Sequence, residues 1–390
     1  MTAEVSFQPV FEPARGFGVY IHWPYCARIC PYCDFNVYVA KARDPEPLLA
    51  AIRRDLRYWR DRSGPRRAQS VFFGGGTPSL LSPDAIGGLL SLVDELWGVE
   101  EGAEVTLEAN PDDRDRFAGF AGAGVNRLSL GVQSFNDAAL SFLGRNHDAA
   151  TAHMAIDRAQ GLFRSLSLDL IYATPGQSGD AWMEDLDAAL SVEPDHLSLY
   201  ELTVEPGAAF ARAVSRGRWS PMEDDAAADL YLATQDRLAA AGLPAYEISN
   251  HARSPEHQSA HNRIYWNSGD WTGVGPGAHG RLTVDGERLE THAADRPGAY
   301  IAAVEATGGG CEMTPLSRTE VADERLIMGL RVTDGIRRRE YETCAQRPMD
   351  DRLISDLEKD GLIILSGDRL ILTPQGRLMA DFVARRLAGA

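Results

Sequence analysis

Lysine is almost missing: of 39 basic residues only Lys41 and Lys359 are lysine, which reflects base composition more than function. Positive charge is also short, with 39 basic against 56 acidic residues and a net charge of −17. A chain this acidic repels phosphate and is excluded as a general nucleic-acid binder, although Arg337, Arg338 and Arg339 form one local basic run. No uninterrupted apolar stretch reaches the roughly 18 residues that a membrane-crossing helix needs, so no transmembrane segment is expected. The first 13 residues carry Glu4 and Glu12 and lack a basic-then-apolar layout, so a secretory signal is not expected either and the cytoplasm is the expected location. Cysteine is limited to five residues, an odd number, which rules out a disulfide framework. Repeats and low-complexity runs are absent as well.

What is present is a globular composition, 44% hydrophobic and 24% charged over 390 residues. That length suits one large α/β barrel with a smaller appendage. Short apolar runs at 19–23, 70–73, 105–108, 127–130, 166–171 and 197–200 read as strands, each ending at a Gly, Pro or polar residue. Helical patterns at 45–60, 83–96, 113–121, 149–159 and 180–190 separate them. Pro45 and Pro83 suit first helical turns, where a missing N–H costs nothing. This alternation predicts a parallel sheet with right-handed crossovers, and six units fit an open, partial (β/α)6 TIM-like barrel.

A long helix is expected at 224–241, then an irregular stretch rich in His, Asn, Trp and Gly from 250 to 279. Beyond 314 the pattern gives helices at 318–330 and 350–360 and a hairpin around Ser366-Gly367-Asp368. A last helix follows at 374–386, completing a mostly helical, winged-helix-like domain. The expected organisation is an N-terminal extension (1–16), a partial barrel (17–250), a connecting segment (251–313) and the appendage (314–390).

Three cysteines, Cys26, Cys30 and Cys33, fall within eight residues directly after the first strand, where barrel enzymes place catalytic loops. Three thiolates can ligate three irons of a cubane [4Fe–4S] cluster and leave the fourth iron open to a small bidentate molecule. A zinc site with His22 as fourth ligand is the rival reading of the same spacing. Cys311 and Cys344 stand alone and are read as structural.

The spacing Cys26-x3-Cys30-x2-Cys33 with Tyr32, the lead-in Tyr20-Ile21-His22-Trp23-Pro24-Tyr25, and the motif Phe73-Gly74-Gly75-Gly76-Thr77-Pro78 resemble the radical S-adenosylmethionine (SAM) proteins. Within them the chain is similar to the oxygen-independent coproporphyrinogen III oxidases and their relatives. That resemblance implies a [4Fe–4S] cluster, SAM on its open iron, and one-electron cleavage of SAM. It assigns SAM contacts to Tyr20, Tyr32, Gly75, Gly76, Thr77, Glu108, Gln133, Arg145 and Asp169, several of which stand at strand tips. Each taken singly is equally a strand end or a helix cap; together they point to a shared ligand.

The oxidases carry a further cysteine two residues after the third, where this chain has Phe35. The heme-chaperone sister group has Phe there, and the stretch His261-Asn262-Arg263-Ile264-Tyr265-Trp266 resembles its heme-associated motif. The flanking Tyr246-Glu247-Ile248-Ser249-Asn250 and Gly273-Val274-Gly275-Pro276-Gly277-Ala278-His279 resemble the same group. The resemblance implies heme contact through His261, Tyr265 and Trp266, on a segment expected to lie over or beside the barrel mouth that holds the cluster and SAM. The implied partners are a heme donor, acceptor hemoproteins such as membrane respiratory enzymes, and a reductant of flavodoxin or ferredoxin type. Two rivals stay open: oxidative decarboxylation of coproporphyrinogen III, and a zinc or winged-helix binding protein without redox chemistry. Whether the protein turns over as an enzyme is left open by the resemblance.

Overall fold

The computed structural model describes residues 16–40 and 44–389; the expected N-terminal extension lies, except for Gly16, outside the described residues. Strands β1 (Phe17–Trp23), β2 (Tyr25–Cys26), β3 (Tyr38–Val39), β4 (Ala68–Gly75), β5 (Val99–Ala109), β6 (Arg127–Gln133), β7 (Ser165–Tyr172) and β8 (His196–Glu201) are followed by β9 (Asn250–Ala252) and β10 (Asp270–Val274). Then come β11 (His279–Val284), β12 (Glu287–Ala293) and β13 (Cys311–Pro315). All but β2 and β3 join one eleven-stranded sheet, in the order β13-β12-β11-β10-β1-β4-β5-β6-β7-β8-β9. The six expected strands β1, β4, β5, β6, β7 and β8 lie side by side in chain order and run parallel. Helices such as Glu46–Ser63, Pro83–Trp97 and Gly179–Ser191 cross between them. The sheet does not close: β9 pairs antiparallel with β8 at one edge, and β10 continues it parallel beyond β1 at the other.

Side-chain type alternates along these strands although both faces are covered. One set, including Val19, Ile21, Val71, Phe73, Leu107, Leu128, Leu168 and Leu197, packs into the core shared with the helices. The alternate set faces inward and is polar: Ser70, Thr106, Arg127, Ser167, His196 and Ser198 are all buried. Barrel interiors are usually filled with branched apolar side chains. Here the interior instead holds a polar cavity of about 270 Å³.

The stretch expected to be irregular, 250–279, is largely ordered, and it does not lie over the mouth of the barrel. Ser259 caps a helix, Ala260–Trp266, by accepting from Asn262 N, and β10 follows directly. Glu104 accepts from the N–H groups of Ala260 and His261, and His261 Nδ1 meets Ser70 Oγ at 2.7 Å. Ser70 pairs in register with Gly18 and Glu104, near the starts of β1 and β4, so this helix plugs the end opposite the cysteine loop. His261 and Tyr265 fill the barrel floor, a use of aromatic rings that single-sequence periodicity does not reveal.

Beyond β10 the sheet is tied down by Asp270, which is 1% exposed. Its carboxylate accepts from Arg66 Nη1 at 2.6 Å, from Arg288 Nη1, and from Thr283 N and Oγ1. Removing one partner of such a network leaves uncompensated charge in the interior. Asp270→Ala is therefore expected to destabilise the protein by about 3–5 kcal/mol in denaturant titrations. A loss under about 1 kcal/mol would show that the two arginines re-solvate freely.

From Ser317 onward a second core gathers Val321, Leu326, Tyr341, Ile354, Leu357, Leu370 and Val383. Ser317 and Glu320 form a reciprocal capping box at the start of helix Arg318–Arg331. The expected hairpin is present as β15 (Ile363–Ser366) and β16 (Arg369–Leu372), with β14 (Ile336–Arg337) added alongside β16. The expected final helix is interrupted at Met379, giving Pro374–Leu378 and Ala380–Ala388, and an unforeseen helix occupies Arg338–Ala345. Arg331 reaches back to the buried Glu247 at 3.3 Å, joining this region to the barrel.

Candidate functional site

The cysteine loop leaves the end of β1 and is fixed on three sides. From β4, Gly76 N donates to Trp23 O at 2.7 Å and Thr77 N to Tyr25 O at 2.9 Å. Within the loop, Cys33 N donates to Cys30 O at 3.2 Å. From far along the chain, the carbonyls of Pro276 and Asp295 both accept from Asn36 Nδ2, at 2.9 and 2.8 Å. A Cβ on Gly76 would stand 2.9 Å from the Trp23 and Tyr25 carbonyls, so the glycine motif first of all lets the loop sit down on β4. At Gly75 the backbone φ is +109° and a Cβ would lie 2.4 Å from the His22 ring.

All three thiols of the loop are unbridged; Cys26 is buried and the other two half-buried. Burial raises the Cys26 thiol above its ordinary value and pushes Cys33 up to about 11. Arg145 holds Cys30, donating from Nη1 to Sγ at 3.3 Å while Nη2 donates to Gly131 O at 3.0 Å and to Asn110 Oδ1. His22 is not available as a fourth ligand. Its Nε2 meets the Asn36 carbonyl and its Nδ1 the Tyr20 hydroxyl, both at 3.0 Å.

Beside the loop opens a cavity of about 590 Å³ at the C-terminal ends of the strands. It brings together Cys26, Cys30, Cys33, Tyr32, Gly75, Gly76, Thr77, Glu108, Gln133, Arg145 and Asp169. Among the described residues that line it, there is no fourth cysteine and no histidine. The donor set therefore fits a cluster held at three corners. Glu108 accepts from Gly75 N at 2.9 Å, and burial pushes its carboxyl up to about 8. Asp169 accepts from Ser129 Oγ, and burial pushes it up to about 6. Gln133 holds φ at +70°, a strained setting for a non-glycine residue that lies at the cavity wall.

Four of the expected site residues lie elsewhere. Tyr20 sits three residues before the end of β1 and lines the inner cavity with its hydroxyl on His22. His261 and Tyr265 also line that inner cavity; His261 Nε2 is 2.7 Å from Tyr265 Oη, so both ring nitrogens of the histidine are engaged. Trp266 faces a third cavity, against the C-terminal region. The two barrel cavities share Glu108, Ser129, Asp169 and Tyr200, so one polar space runs from the mouth to the floor. Asn110, Tyr200 and Arg331 were not anticipated. Tyr200 stands at a strand tip, the signal that marked Glu108 and Asp169. Arg331 arrives from the appendage and carries no sequence cue.

An open parallel barrel with a three-thiol loop after its first strand defines a radical SAM protein. The sequence model of the Radical SAM superfamily matches residues 20–189, and that of the HemN C-terminal domain matches 316–379. The "Radical S-adenosyl methionine domain-containing protein 1, mitochondrial" of Bos taurus is 37% identical over 95% of this chain and 87% of its own length. The "Heme chaperone HemW" of Mycobacterium tuberculosis is 37% identical over 97% of this chain and 96% of its own. Among solved structures, the coproporphyrinogen III oxidase HemN of Escherichia coli superimposes with a TM-score of 0.81 at 22% identity, covering 97% of this chain and 91% of that one. The chain belongs to the HemW family within the Radical SAM superfamily, and membership implies a [4Fe–4S] cluster and SAM. The oxidase likeness carries the fold alone. Among the described residues, no helix is long and apolar enough to cross a membrane.

Proposed function

We propose that this protein binds heme, holds a SAM-capped [4Fe–4S] cluster and passes the heme to an acceptor hemoprotein. The observation that carries this reading is the three-thiol corner set with Phe35 at the position of the oxidases' extra cysteine. Phe35 is 60% exposed at the rim of the mouth and offers an apolar surface where the oxidases have a thiol. Near-full-length similarity to proteins named heme chaperones supports the same choice over porphyrinogen decarboxylation. In this reading 17–250 is the SAM barrel, 251–313 the connecting segment and 314–390 the appendage. Membrane respiratory enzymes would be acceptors, a flavodoxin or ferredoxin the reductant, and the cytoplasm the location.

Cys26, Cys30 and Cys33 would hold three irons. When bound, the cluster with SAM supplies one-electron chemistry at a sulfonium. Glu108 would take the ribose hydroxyls, Arg145 the methionyl carboxylate, and the Gly75-Gly76-Thr77 backbone the amino end, with Tyr32, Gln133 and Asp169 enclosing the nucleoside. Tyr20 would act from one layer below, through His22. For His261 and Tyr265 to reach heme, helix Ala260–Trp266 must leave the barrel floor, because both ring nitrogens are used there. Trp266 is the member of the motif that already faces outward.

Anaerobic reconstitution tests the proposal. Iron and sulfide should reach about four of each per chain. Hemin should give a saturable Soret band, and deoxyadenosine is looked for after reduction. A vinyl product from coproporphyrinogen III, or a colourless protein carrying zinc, would reject the reading.

A further inference from the structure

The chain has nine histidines, and the fold uses up most of them. His22, His196 and His261 engage both ring nitrogens. His257 has Ser165 Oγ at one nitrogen and Asp195 beside the other, and His147 and His251 are buried. His153 belongs to the helical layer, against the Phe135 ring. His279 and His292 differ from all of these. They stand directly opposite one another on β11 and β12, both exposed, with their rings stacked at 4.2 Å and 11° from parallel. His292 Nε2 lies 3.2 Å from Asp295 Oδ1, whereas the His279 ring makes no hydrogen bond among the described residues. Partial burial, then His292 and Arg281, hold His279 below the ordinary histidine range, so its imidazole keeps a lone pair at neutral pH.

The pair stands at the same end of the barrel as the thiols. β10 runs parallel to β1 and ends at Val274, and His279 opens the next strand. Pro276, three residues before His279, and Asp295, three residues after His292, accept from Asn36 Nδ2, and Asp295 O also accepts from the Tyr38 hydroxyl. The segment held in this way carries Phe35 and Val39, 60% and 43% exposed. A free imidazole nitrogen therefore adjoins exposed apolar surface. The two histidines and Asp295 are not placed to hold a bare metal ion between them. Iron inside a porphyrin already has its equatorial ligands and needs only an axial one, for which histidine is a common choice.

We propose that His279 is the axial ligand of heme iron, with the macrocycle against Phe35 and Val39. A ring nitrogen displaces water from the iron, and no proton or electron is exchanged. The assignment rests on the heme reading above and changes where the iron goes. Helix Ala260–Trp266 can stay on the barrel floor, and the cargo sits beside the cysteine loop.

Hemin titrated into the full-length reconstituted protein tests this, followed at the Soret band and, after reduction, by resonance Raman. The wild type should show an iron–histidine stretch. His279→Gly should lose that stretch and bind hemin about tenfold or more weakly, with the cluster absorbance before hemin addition unchanged. Free imidazole should restore the histidine-type spectrum to this variant, which a misfolded chain would not allow. His153→Ala, on the helical layer, should match the wild type. A wild-type spectrum of thiolate or tyrosinate type, or an iron–histidine stretch that survives His279→Gly, overturns the ligand assignment while the heme reading stands. Failure of the wild type to bind hemin overturns both.

Discussion

Replacing Cys30 with serine is expected to remove the visible absorbance of the anaerobically reconstituted protein, to under about a tenth of wild type, while the chain stays folded. Two thiolates cannot hold a cubane that already leaves one iron without a protein ligand, and a serine hydroxyl is a poor iron ligand at neutral pH. The fold has no need of the sulfur itself. Cys30 sits in a half-buried loop whose geometry comes from backbone bonds to β4 and from Asn36, and a serine oxygen can accept the same Arg145 N–H. The melting temperature of the metal-free protein should therefore move little. Cys311→Ser is the matched control, because that thiol lies on β13 and its contact is the distant Gly273 carbonyl at 3.7 Å. A brown Cys30→Ser protein with four irons would mean that another side chain fills the corner, and the open-iron argument would fall with it.

Glu108→Gln should trade SAM affinity for stability. Burial holds the Glu108 carboxyl up at about 8 against an ordinary value of 4.5. The folded chain therefore binds a proton there that the unfolded chain releases, so stability is full below about pH 4.5 and is lost as pH rises toward 8. Glutamine mimics the protonated form and removes that slope. The SAM-free variant should melt about 2–4 °C above wild type at pH 8, with the difference vanishing near pH 5. Asp169, held up at about 6 by burial, leaves a weaker decline of the same sign in both proteins. In the proposed role the charged carboxylate grips two ribose hydroxyls, so the variant should bind SAM about 10–100-fold more weakly. Wild-type SAM affinity, or a lower melting temperature at pH 8, would show that Glu108 serves the fold alone.

Much of the barrel could be read from sequence because its six parallel strands are short apolar runs punctuated by Gly and Pro, with helices between. The strand additions were hidden for a physical reason. β12, Glu287–Ala293, alternates charged and small residues on a half-exposed surface, and β10 carries an aspartate that is buried only because two arginines arrive from elsewhere. The helix Arg338–Ala345 is nearly all polar and is held by tertiary contacts of Tyr341 and Cys344. At the site, residues at strand tips were legible because a strand end fixes which way a side chain faces. Tyr20 was assigned to the mouth although it lies three residues, about 10 Å, below the end of β1. His261 was misplaced because a motif reports residue types and not the end of the barrel at which they are used.

Asn36 carries a consequence for how the protein matures. The anchors of the cysteine loop, Pro276 and Asp295, are 240 and 259 residues downstream of it, and Gly277 packs so closely that a Cβ there would lie 2.4 Å from the Asn36 amide nitrogen. During synthesis the thiols leave the ribosome long before the backbone that fixes their spacing. A nascent chain, or a fragment ending after β8, therefore presents the cysteine signature without its frame. If these thiols hold the proposed cluster, the loop takes its final geometry only once translation has passed residue 295, and cluster insertion would then be a late event.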